Sequence, residues 1–169
     1  MGTRFSIVHD FDCDPATYWD IFWDEAFNAD QYARMRCGRT VLAQHDQADR
    51  RVRDQEIRPQ RDVPAILRKL IPQGALKYVE HGVWKQPAGP LEVDIKVPAA
   101  GARFAMTAFY SVTDLAARGC RREFAGECTI RIPLVAGMAE KTVIDSMRET
   151  YETAAKVHRE WIARRKPSV

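Results

Sequence analysis

The chain has 169 residues, of which 46% are hydrophobic and 29% charged, with a net charge of +3. That balance excludes a disordered chain and predicts one globular domain over residues 1–169, large enough to fold without disulfides or metal staples. Arg and Lys are interspersed with Asp and Glu rather than gathered on one face, so nucleic acid is not an expected partner.

Residues 3–9 (TRFSIVH) alternate Phe5, Ile7 and His9 against Arg4, Ser6 and Val8, the period of a strand. The N-terminus lacks a basic segment followed by a long apolar run, so no secretory signal is expected. Gly2 and Ser6 match the spacing of a myristoylation motif, a match that reads as accidental beside a strand. Asp14 followed by Pro15 is a helix start. The stretch to Cys37 holds Tyr18, Trp19, Phe22, Trp23 and Phe27, which fits one or two short helices packed on a sheet. A break is expected near Asn28–Asp30, with Asp30 as cap, and Gly38 is expected to end the helical region.

Residues 39–46 then read as a strand, and residues 50–58 (RRVRDQEIR) as a second, very polar and partly exposed one. Residues 63–72 (VPAILRKLIP) place Ile66, Leu67, Leu70 and Ile71 on one face of a short helix, with Arg68 and Lys69 off it. Four longer strands follow at 76–85, 91–97, 102–114 and 120–132, separated by turn clusters such as QPAGP and PAAG. Pro133 ends the sheet. From Gly137 to Arg165 apolar residues recur at three- and four-residue steps, a helix roughly 42 Å long with a basic tail, ARRKPSV. No apolar run approaches the ~18–20 residues that span a bilayer, so a soluble, cytoplasmic protein is expected.

Strand, two short helices, six strands and one long helix imply an α+β fold with an antiparallel sheet, whose concave face must cover the helix stripe. This order resembles the helix-grip fold of the START-like superfamily, a curved sheet of about seven strands wrapped around a long C-terminal helix. The segments FDCDPATYWDIFWDEAF, RDVPAILRKLIPQGALKYVEHGVW, GECTIRIPLVAGMAEKTVIDSM and YETAAKVHREWIA are similar to an uncharacterised bacterial branch of it. The resemblance implies a cavity between sheet and helix for a lipid or other hydrophobic small molecule. Its motifs are structural, and it carries over no catalytic residue.

Strand parity nominates the lining. Tyr78, Glu80 and Trp84 share a face; so do Val93 and Ile95 with Leu91 and Val97; so do Phe104, Met106, Tyr110, Arg122, Phe124 and Ile130. Met147 and Tyr151 lie on the helix stripe. Glu80 and Arg122 should pair if both turn inward, since an unpaired buried charge is costly.

The four histidines, at 9, 45, 81 and 158, have no metal-binding spacing, and His158 reads as a core residue. Cys13, Cys37, Cys120 and Cys128 form no C-x-x-C pair and read as free, mostly buried thiols. Cys120 and Cys128, about 26 Å apart along one strand, cannot bridge. Hydrolase-elbow, P-loop and dinucleotide motifs are absent, so neither metal nor cofactor is expected. The reading is a non-enzymatic binder or carrier of an apolar ligand. A cyclase or aromatase using Tyr78, Glu80, Tyr110 or Arg122 is the alternative, and a structural module with a filled cavity the third. The 63–72 segment could serve as a lid, with Arg68 and Lys69 making weak contact with a membrane surface.

Overall fold

The computed structural model describes residues 1–72 and 76–165. In chain order it has β1 (Thr3–Phe11), α1 (Pro15–Trp23), α2 (Glu25–Arg34), β2 (Cys37–Asp46) and β3 (Arg50–Pro59). Then come β4 (Tyr78–Lys85), β5 (Leu91–Lys96), β6 (Phe104–Asp114), β7 (Cys120–Ile130) and α3 (Ala136–Arg165). The seven strands make one curved antiparallel sheet in the order β1-β7-β6-β5-β4-β3-β2, the helix-grip architecture. The final residues of the basic tail, 166–169, lie outside the described residues. No helix among the described residues is long and apolar enough to cross a membrane.

The inner faces follow the expected parity: Phe104, Met106, Phe124, Cys128 and Ile130 are buried, as are Leu91, Val93 and Ile95. Against them α3 presents Ala139, Ile144, Ala154, Ala155, Val157 and Ile162. The small alanines let the helix backbone approach the sheet. Met147 and Trp161, also on the stripe, are only partly buried. Gly119 makes the β6–β7 turn at φ 90°, and a Cβ there would stand 2.1 Å from the Phe11 carbonyl oxygen, so only glycine fits.

The break between α1 and α2 falls at Asp24, not at Asn28–Asp30. Asp24 Oδ1 accepts from the N–H groups of Ala26 and Phe27 at 2.8 and 3.1 Å. Asn28 is buried and donates to the carbonyls of Phe22 and Asp24, closing the end of α1. Asp30, expected as a cap, instead accepts from Trp161 Nε1 at 2.8 Å, tying α2 to α3. Gly38 does not stop a helix: α2 ends at Arg34, Arg36 turns the chain at φ 55°, and Gly38 lies within β2.

The polar strand is half-exposed, but its buried half is the polar one: Arg53, Gln55 and Ile57 face inward. Residues 63–72 form only a short 3-10 turn at Ala65–Leu67, too interrupted by proline for a longer helix. Val63, Leu67, Leu70 and Ile71 are nevertheless buried, Ile66 is half-buried, and Arg68 and Lys69 are exposed. Cys37, Cys120 and Cys128 are free and buried, and Cys13 is half-buried. Cys13 and Cys120 lie with sulfurs 4.0 Å apart, a neighbourhood that spacing alone did not indicate.

His158 is a core residue, as read. It stacks on Tyr18 with ring centroids 4.2 Å apart and meets Phe11 and Phe27 at 5.0 and 4.8 Å. Burial, and then the nearby Arg122 charge, push its pKa down to about 3. The folded state therefore holds the neutral ring, while the unfolded chain takes up a proton near 6.5. Stability from this group is complete above that value and is lost as pH falls toward the folded pKa. Between pH 6.5 and 5 the loss is about 2 kcal/mol. Urea unfolding of a His158→Phe variant should show a correspondingly shallower loss across that window.

Candidate functional site

A cavity of about 140 Å³ lies between the inner face of the sheet and α3. Tyr78, Glu80, Ile95, Phe104, Met106 and Phe124 reach it from the strands, and Met147 and Tyr151 from the helix. It is also lined by Val63, Pro64, Leu67 and Ile71 of the proline-rich segment and by Thr142, Val143, Ser146 and Thr150 of α3. The sequence offered that segment as a lid over the cavity. The small polar α3 residues fell off its apolar stripe and gave no signal.

Trp84, Val93, Tyr110 and Arg122, also nominated, stand outside this space. Trp84 packs on Trp19 and Trp23 at 5.1 and 5.3 Å, and Val93 is plain core. The Tyr110 hydroxyl meets that of Tyr151, and its ring stacks on Phe124 at 4.4 Å.

Glu80 and Arg122 both turn inward but do not pair. Two strands, β5 and β6, stand between theirs, a separation on the order of 14 Å at ordinary sheet spacing. Each finds other partners. Arg122 Nη2 donates to His9 Nδ1 at 2.7 Å, which leaves the proton of the neutral ring on Nε2, 2.7 Å from Glu152 Oε1. The Arg122 guanidinium also lies over the rings of Phe11 and Tyr151, at 5.2 and 5.4 Å. Burial and Arg122 hold His9 below its ordinary pKa, against the pull of Glu152.

Glu80 sits at the end of a hydrogen-bonded chain that starts at the surface. Arg39 clamps Glu25 through Nη1 and Nη2, at 2.8 and 3.2 Å. Its Nε donates to Gln55 Oε1 at 2.8 Å, and Gln55 Nε2 donates to Glu80 Oε2 at 2.6 Å. Gln55 and Arg39 were not nominated, because a strand reading RRVRDQEIR looks solvated. Burial raises the Glu80 pKa, opposed by the Gln55 hydrogen bond and the charges of Arg53 and Arg39. Burial likewise pushes the Tyr78 and Tyr151 phenols well up, and Glu80 adds to both shifts.

Past Gln55 the inner face is filled solid. Arg53 stacks on Trp23 at 4.4 Å, close to Trp19, Phe22 and Trp84. On the outer face of the sheet a larger, open trough of about 770 Å³ runs past His81, Glu92, Asp94, Thr107, Phe109 and Glu127. It is a surface concavity edged by charge, whereas the inner cavity is more sheltered, mostly apolar and supplied with a few polar groups, the usual composition of a small-molecule site. No group of three or more His, Cys, Asp or Glu among the described residues could hold a metal ion.

Residues 6–162 match a family described as protein of unknown function (DUF2505). No curated protein matches the sequence. Among solved structures the chain is similar to TTHA0849 from Thermus thermophilus (14% identity, TM-score 0.66, covering 97% of this chain and 100% of that one). It is also similar to the Zhui aromatase/cyclase from a Streptomyces species (9% identity, TM-score 0.64, covering 98% and 96%). A START superfamily protein from Mycobacterium smegmatis is a third (14% identity, TM-score 0.56, covering 98% and 100%). At such identities the likeness is one of fold.

Replacing Gln55 by Leu should strand both Arg39 Nε and Glu80 Oε2. Two unpartnered buried groups cost roughly 2–4 kcal/mol. Because Gln55 is the strongest influence holding the Glu80 pKa down, a carboxyl-carbon NMR titration should find Glu80 ionising at higher pH in the variant than in the wild type.

Proposed function

The chain belongs to a family of proteins of unknown function (DUF2505), and on its START-like fold we propose that it binds a small hydrophobic molecule in the cavity beneath α3 without altering it. The observation that supports this is the space between sheet and helix itself. Its walls are largely apolar and aromatic, with Glu80 and Tyr78 at one end. A packed core places no void of about 140 Å³ where a sheet meets its covering helix. A void of that size admits a ring of about benzene dimensions. It falls below the roughly 300–1,000 Å³ of sites for drug-sized ligands.

A lipid chain needs more room, and the segment over the mouth is the wall best able to supply it. Its backbone–backbone bonds are internal, Leu67 to Pro64, Arg68 to Ala65, and Leu70 and Ile71 to Leu67, and its Lys69 carbonyl accepts a long bond from Arg103 Nη1 at 3.4 Å. It can therefore move without breaking the sheet ladder. Arg68 and Lys69, exposed on its outer side, would add about 1 kcal/mol each at an anionic membrane surface, enough for weak, reversible contact.

A second reading is an enzyme of the cyclase kind. It is favoured by one observation, a carboxyl raised by burial and facing the cavity. Glu80 would then exchange a proton with an apolar substrate. Turnover of an aromatic or polyketide substrate that disappears in a Glu80→Gln variant would establish that reading in place of the first.

Native mass spectrometry of the purified protein should find a co-purified apolar molecule or, failing that, added toluene should bind. At a hundredfold excess over Kd a ligand stabilises the fold by about 2.7 kcal/mol, readable as a raised Tm. A Met147→Trp variant, which fills the space, should abolish the Tm shift. Persistence of the shift in that variant would place the ligand elsewhere.

A further inference from the structure

We propose that Glu80 selects the occupant of the cavity by accepting a hydrogen bond through Oε1, so that the preferred ligand is a neutral apolar molecule carrying an O–H, an alcohol or a phenol. This rests on the reading that the cavity binds an apolar ligand.

A guanidinium has donors only, so the Gln55 atom 2.8 Å from Arg39 Nε must be the amide oxygen. Arg39 is itself fixed by its two bonds to Glu25. The Gln55 amide thus cannot turn over, and its nitrogen faces Glu80 Oε2 at 2.6 Å and the Tyr32 hydroxyl at 3.2 Å. Oε2 is committed as an acceptor from the protein. Oε1 has no hydrogen-bond partner among the described residues, and Glu80 lines the cavity. The Tyr78 hydroxyl, two residues away on the same face, also lines it and makes no hydrogen bond among the described residues. The strand wall is otherwise Ile95, Val97, Phe104, Met106 and Phe124, and the other charged residues of the lining are Arg61 and Asp62.

Charge narrows the ligand class. A carboxylate ligand would set like charge against Glu80. An ammonium ligand would add a cation beside Arg39 and Arg53, whose charges already act on Glu80 from behind the wall. A neutral O–H meets neither penalty, donates to Oε1, and leaves its ring on the apolar wall. A hydrogen bond to a charged acceptor is worth enough to favour such a ligand about tenfold or more over its hydrocarbon analogue.

The test uses three probes with equal numbers of heavy atoms: p-xylene with no polar group, p-cresol with an O–H, and benzaldehyde with an acceptor only. Binding is followed at the Met147 methyl by NMR, at one pH for all three probes. In the wild type p-cresol should bind about tenfold tighter than p-xylene, and benzaldehyde no tighter than p-xylene. In Glu80→Gln, the clamped Gln55 still donates to the side-chain oxygen, so the new amide turns its nitrogen to the cavity. Benzaldehyde should then rise to match p-cresol. Equal binding of p-cresol and p-xylene by the wild type would overturn the selector while leaving the cavity reading intact. Failure of all three probes to perturb Met147 would overturn the cavity reading, and the selector with it. The wild-type series decides even if the variant fails to fold.

Discussion

A long helix laid across a sheet can slide, because an apolar stripe attracts equally well at neighbouring registers. What fixes α3 is a set of polar side chains that only one register satisfies. Near its start Glu140 is buried and accepts from the Ile130 N–H at 2.8 Å and from the Thr3 hydroxyl at 2.6 Å, gripping the ends of β7 and β1. Midway, Glu152 holds His9 and so neutralises Arg122 through the ring. Toward its end Trp161 donates to Asp30, Glu160 meets Arg34 and Arg165 meets Asp24, all on the short helices. A one-turn slip would leave Glu140 buried and unpaired at several kcal/mol, whereas the exposed pairs of Glu152, Glu160 and Arg165 add little each. Register is what they secure.

With α3 fixed, the cavity follows from unequal filling. On the side of the short helices, Tyr18, Trp19, Phe22, Trp23 and Phe27 supply large rings that interlock with Trp84, Phe11 and His158. On the other side the helix offers Thr142, Ser146 and Thr150, and the sheet is covered only by a short proline-bounded segment. Small side chains over a curved surface cannot meet its floor. The void is thus a property of which residues face β4 to β6, not of a missing element.

Much of the fold is legible in the sequence because strand parity and the three-four period of α3 are strong and local. LEVDIKV can alternate only one way, and the turns around it are marked by Gly and Pro. Where several local signals compete, tertiary context decides. Asp24 and Asp30 are equally good caps on paper, and the distant Trp161 settles which one is free to cap. Gly38 looks like a stop, yet the chain has already turned at Arg36. The site was half legible for the same reason. Tyr78, Glu80 and the β5 to β7 residues follow from alternation. Gln55 and Arg39 do not, since a polar strand reads as solvated until the Tyr32 helix and the neighbouring strand are seen to cover it. Arg122 and Glu80 share a parity, but parity is silent on how many strands lie between them.

Stability gives no reason for a carboxyl at position 80. An apolar residue there would extend the wall of Ile95 and Met106, and exchanging buried ionic groups for packed apolar ones is often neutral or stabilising. The chain instead carries a carboxyl, an amide that feeds it, an arginine that orients the amide and a surface glutamate that holds the arginine. Of those four groups Glu80 alone lines the cavity, and its Oε1 has no hydrogen-bond partner among the described residues. A network that only needed to satisfy itself would have closed on that oxygen as well. Arg122 is met by His9, by Glu152 behind the ring and by two aromatic faces, though its buried Nε has no partner among the described residues. The contrast is between a guanidinium buried among its neighbours and a carboxyl that lines a void.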